Sequence, residues 1–112
     1  MKLFPILFLI SLFACAGTSG PQKVLDLSEE TLTDVCEQAI LPTTISTLSD
    51  QDVQDIARHC VRGGRANLTA QASYEMSRQV ESKDRAVWIE QMQKNISIAR
   101  DATLEVMRIL EK

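Results

Sequence analysis

The chain has 112 residues, with 12 Lys plus Arg against 15 Asp plus Glu and a formal net charge of −3. That length holds one small domain and excludes a two-domain enzyme. All three Phe (Phe4, Phe8, Phe13) precede Cys15, so Tyr74 and Trp88 are the only rings left for the body, which excludes a deep core of large side chains.

Lys2 is followed by an almost unbroken apolar run from Leu3 to Ala14, and the chain then turns small and polar at Gly17, Thr18, Ser19 and Gly20. A charged start, about a dozen apolar residues and small residues behind them read as an export signal. The run is too short for a spanning helix, which needs roughly 20 apolar residues. The stretch Leu12-Phe13-Ala14-Cys15 resembles the lipobox of bacterial lipoproteins, although Phe13 stands where that family usually has a small or β-branched residue. The resemblance covers residues 1 to about 20 and implies removal of residues 1–14 and a diacylglyceryl group on Cys15. Ala14-Cys15-Ala16 also satisfies the small-x-small rule of ordinary signal peptidase, which would discard Cys15. Ala16 to Lys23 reads as the tether between lipid and domain, so residues 15–27 are expected to be flexible. Both Asn residues lie in sequons, Asn67-Leu68-Thr69 and Asn95-Ile96-Ser97, as in a secreted eukaryotic glycoprotein.

Ser28 reads as the N-cap of a first helix, ahead of Glu29 and Glu30 at its positive end. Leu32, Val35, Cys36, Ala39 and Ile40 form one apolar face, and Pro42 ends the helix. Thr43 to Leu48 is a connector. Ser49 caps a second short helix with Asp50 and Asp52 in its first turn; Val53, Ile56, Ala57, Cys60 and Val61 form its apolar face, and Gly63-Gly64 reads as its stop. Residues 66–81 are helix-prone and weakly amphipathic, and Ser82 with Asp84 either restarts a helix or lies within a continuous one. From Ile89 the pattern sharpens. Ile89, Ile96, Thr103 and Leu110 recur every seven residues, with Met92, Ala99 and Val106 between them, which is a three-heptad stripe. Trp88, Met107 and Ile109 widen it, while Ile98 and Leu104 fall off it. The expectation is an all-α bundle of about four helices over residues 28–112, two of them short.

Cys36 and Cys60 occupy matching positions on the apolar faces of the first two helices. In an exported chain such thiols oxidise, so a bridge between the helices is expected. Asp52, Asp55 and His59 share a helix face at i, i+3 and i+7, but two carboxylates and one imidazole at that spacing are common on solvated faces, and no metal site is assigned. A single His, no Gly-x-Ser-x-Gly elbow and no Gly-rich phosphate loop argue against catalysis, and no cofactor is expected. Arg58, Arg62 and Arg65 make a small basic cluster, yet without Lys2 the chain carries 11 basic against 15 acidic groups, which argues against nucleic-acid binding.

These readings point to a non-enzymatic accessory lipoprotein of a bacterial envelope, an adaptor or assembly factor; the alternative is a freely secreted, N-glycosylated, disulfide-braced helical factor or carrier of a eukaryote. The lipoprotein would sit in the outer membrane facing the periplasm and bind a protein partner, or itself, through residues 89–110. Trp88, Ile98, Leu104, Met107 and Ile109 are the expected partner surface.

Overall fold

A computed structural model describes residues 20–111, and Cys15 with the expected export signal lies outside them. Among the described residues four helices follow one another: α1 (Pro21–Ala39), α2 (Pro42–Ile45), α3 (Asp50–Gln79) and α4 (Ser82–Leu110). The three long ones form a small all-α bundle in which α3 and α4 are an antiparallel hairpin and α1 lies against both. The described residues extend 51 × 25 × 16 Å.

The first helix starts seven residues before the expected cap. Gly20, at φ 129°, takes a backbone conformation that favours glycine, and Pro21 supplies a pre-set φ at the first helical position. Leu25, Ser28, Leu32, Val35 and Ala39 are all buried, at intervals of three and four, so Pro21 to Leu27 is helix rather than tether. Ser28 caps nothing. Its hydroxyl donates a 2.6 Å hydrogen bond to Asn67 Oδ1 in the interior.

In α3, Ser49 accepts the Asp52 amide at 3.1 Å, as a capping residue should. The helix then runs straight through Gly63-Gly64 to Gln79 instead of stopping there. Gly63 is buried where α3 meets its neighbours: a Cβ at that position would lie 2.9 Å from a Leu32 methyl and 3.1 Å from Ala102 Cβ. Packing at that contact overrides the low helix propensity of two glycines, about 1 kcal/mol each. The chain breaks only at Val80 and Glu81, whose backbones are extended, and α4 starts at Ser82. Arg85 Nε donates to the Ser77 carbonyl at 3.1 Å, satisfying one of the acceptors left at the end of α3.

The core has two apolar ends and a waist of small residues. One end gathers Val35, Ala39, Ile56, Val106, Met107 and Ile109; the other gathers Leu25, Ala70 and Met92, with Tyr74, Ile89 and Ile96 packed against them. Between them lie Gly63, Ala66, Ala99 and Ala102, which let the helices approach closely, and the Ser28–Asn67 pair.

Candidate functional site

The heptad stripe of α4 is structural. Met92, Ala99, Thr103 and Val106 are buried, and Ile89, Ile96 and Leu110 pack at its margins. Two residues expected on a partner surface are core: Met107 is 4% exposed and Ile109 1%. Leu104, expected to lie off the seam, packs against the same cluster. Trp88 and Ile98 are half-buried. The reason is geometric, because α4 meets α3 on one side and α1 on another, so its buried face is wider than a two-helix seam.

The exposed apolar surface lies elsewhere. A cleft of about 390 Å³ opens between α1, α2 and α3, with Leu32, Cys36, Ile45, Leu48, Ile56 and Cys60 among its walls. Ile40, Leu41 and Ile45, at the turn from α1 into α2, are 65%, 48% and 39% exposed. The cleft exists because the turn after Ala39 and the four-residue α2 stand away from α3 rather than filling the space beside it. Cys36 and Cys60 are joined by a disulfide, with Cα atoms 6.2 Å apart, and they line the cleft wall. The bridge ties α1 to α3 where α2 gives little cover. Cys36 and Cys60 are 24 positions apart, and closing a loop of that length contributes roughly 3 to 4 kcal/mol in the chain-entropy model.

Charge is distributed unevenly around this cleft. Among the described residues Glu37 is its only ionisable lining residue. Thr33 is shared with an adjoining hollow of α1 that carries Asp26, Glu29, Glu30 and Asp34. On the opposite side Ala57 is shared with a hollow of α3 formed with Arg58, Val61, Arg62 and Arg65. Arg58 pairs with Asp55, and Arg62 Nη2 lies 3.4 Å from His59 Nδ1. The Arg108 guanidinium donates to Glu105 and, with further pull from His59 and Arg62, holds its carboxyl below the ordinary value.

Asp55 also accepts from Gln51 Nε2, so this carboxylate serves bonds within its own helix. Among the described residues no group of three or more His, Cys, Asp or Glu is arranged to hold a metal ion. Asn67 is 8% exposed and its Nδ2, the atom a glycan would occupy, is buried without a hydrogen-bond partner among the described residues, so this fold offers no room for a sugar there. Asn95 Nδ2 donates to the Gln91 carbonyl at 2.8 Å on an exposed part of α4. No described helix is long and apolar enough to cross a membrane.

Sequence reasoning misses the cleft because Ile40 belongs by spacing to the apolar face of the first helix and Ile45 to a connector, so neither reads as the rim of a hollow. The available signal was the run Ile40-Leu41-Pro42, where apolar residues sit at a helix end that cannot continue. Comparison with protein-family models, with curated proteins and with solved structures returns no match to this chain.

Proposed function

We propose that the protein is a small non-enzymatic lipoprotein of a bacterial envelope, held at the outer membrane by lipid on Cys15, that serves as an adaptor or assembly factor for another envelope protein. The observation that carries the binding role is the open apolar cleft with Ile40 and Ile45 exposed in its lining and exposed Leu41 next to Ile40 in the chain. Exposed apolar residues clustered at a concave site favour a macromolecular partner over bulk water. A cleft with one carboxylate, no imidazole and both cysteines oxidised suits binding better than catalysis.

The bundle's polarity supports the same reading. The start of α1 lies at the end of the bundle opposite the cleft, and α1, with 19 residues, is about 28 Å long. A lipid on Cys15 would therefore leave the cleft facing away from the membrane.

The test is a photo-crosslinking residue placed at Ile45 and, as a control, at exposed Lys83 on the far end. In cell envelopes Ile45 should give an adduct heavier than two copies of the chain, Lys83 should not, and Ile40→Asp should remove the adduct. Equal labelling from both positions, or none from Ile45, would discard the adaptor role. For the anchor, Cys15→Ser should release the protein from the membrane fraction, since two acyl chains or more are needed for stable attachment. An unmodified N-terminus at Gly17 would refute lipidation.

A further inference from the structure

We infer that the face containing the cleft is also a self-complementary surface on which a second copy of this chain docks, by two-fold pairing of the acidic edge of α1 with the arginine edge of α3. This concerns what covers the cleft in the absence of another protein, and it holds or fails independently of the adaptor role.

The face is ordered as acid, apolar strip, base. Glu29, Glu30, Asp34 and Glu37 line one edge, and none of them makes a salt bridge among the described residues. Glu30 and Asp34 are four residues apart on an exposed helix, a like-charge spacing that destabilises an isolated helix. Arg58, Arg62 and Arg65 line the other edge, and Arg65 makes no salt bridge among the described residues. The strip between them holds the cleft mouth with exposed Ile40, and exposed Val61 sits among the arginines of the basic edge.

A two-fold axis lying in the interface and running along the cleft exchanges the two edges. Each acidic edge then meets the partner copy's arginines, twice over, while the apolar strips face each other. Such an interface is isologous and closes as a dimer.

Rotation about that axis leaves height along the bundle unchanged, so the pairing register is the one already set within the protomer. Within it Cys36 is bonded to Cys60 and Leu32 touches the Gly63 position, so residue numbers on antiparallel α1 and α3 add to about 95 at a common level. Glu37 is therefore level with Arg58, and Glu30 with Arg65. Each pair of like residues is separated by seven positions, about 10.5 Å along its helix. The charges match in sign, in spacing and in height.

The experiment is sedimentation equilibrium on the purified full chain and two double variants, Glu30→Lys/Glu37→Lys and Arg58→Glu/Arg65→Glu, with circular dichroism to confirm that both fold. Wild type should show a reversible monomer–dimer equilibrium that weakens with salt. Each variant alone places like charges at both edges and should weaken dimerisation at least about tenfold. An equimolar mixture of the two variants should regain it as a heterodimer. Wild type that stays monomeric, variants that dimerise as wild type does, or a mixture that remains monomeric would each overturn the proposal.

Discussion

Gly63 and Gly64 are adjacent in one helix, and replacing each by Ala should move stability in opposite directions. Both substitutions gain helix propensity of about 1 kcal/mol. At Gly64 nothing lies within 4 Å of the new Cβ, so the gain is realised in full. At Gly63 the methyl would meet Leu32 Cδ2 at 2.9 Å and Ala102 Cβ at 3.1 Å. A leucine end can rotate, but Ala102 has no torsion to yield and is fully buried, so α3 and α4 must separate by a few tenths of an ångström. Overpacking of this kind costs about 1–3 kcal/mol, leaving a net loss of about 0–2 after the propensity gain. The gap between the two variants is then about 1–3 kcal/mol. At roughly 4–8 °C per kcal/mol for a domain of this size, thermal melts followed by circular dichroism should resolve it, with Gly64→Ala above wild type and Gly63→Ala below. Equal shifts in the same direction would refute the close approach of α4 at Gly63.

Cys36→Ser and Cys60→Ser should each lower stability by roughly 3 to 4 kcal/mol, and the double variant should be little worse than either, as chemical denaturation will measure. Ser28→Ala leaves Asn67 Oδ1 without its donor and should cost about 1–3 kcal/mol, whereas Ser28→Ala with Asn67→Leu should recover part of that loss. Because the folded Glu105 carboxyl titrates below its ordinary value, its contribution is present at neutral pH and is lost as pH falls through that lowered value. Arg108→Gln should move the Glu105 titration upwards in NMR, and an unchanged titration would exclude Arg108 as its main cause.

Helical class, the disulfide and the α4 stripe were legible because each rests on large apolar residues or on cysteines at helical spacing. What escaped was small. Gly63, Ala66, Ala70, Ser73 and Ser77 repeat at intervals of three and four, a seam as regular as that of α4, but it carries little hydrophobicity and two glycines that locally resemble a stop. Ser28 misled for a related reason. A serine ahead of two glutamates has the chemistry of a cap, and only the stripe from Leu25 through Leu32 to Ala39 marks it as interior. Met107 and Ile109, expected on a partner surface, are buried because α4 has two long neighbours, and the length of α3 is what the glycine pair conceals in the sequence. The expectations of a lipid on Cys15 and of an export signal before it rest on the sequence alone.

The disulfide fastens only one end of the bundle, and this sets a gradient of local opening along its length. At that end a covalent link and the Val35–Ile56–Val106 cluster hold three helices together. At the other, α3 and α4 continue past the start of α1 as a bare pair, and residues 81–87 are exposed throughout. Native-state amide exchange should accordingly begin at the Val80–Glu81 turn and spread inwards, with the slowest protons near Ala102 to Val106. Force applied through the start of α1 would reach the weakly held end first, leaving the cross-linked end as the last part to yield.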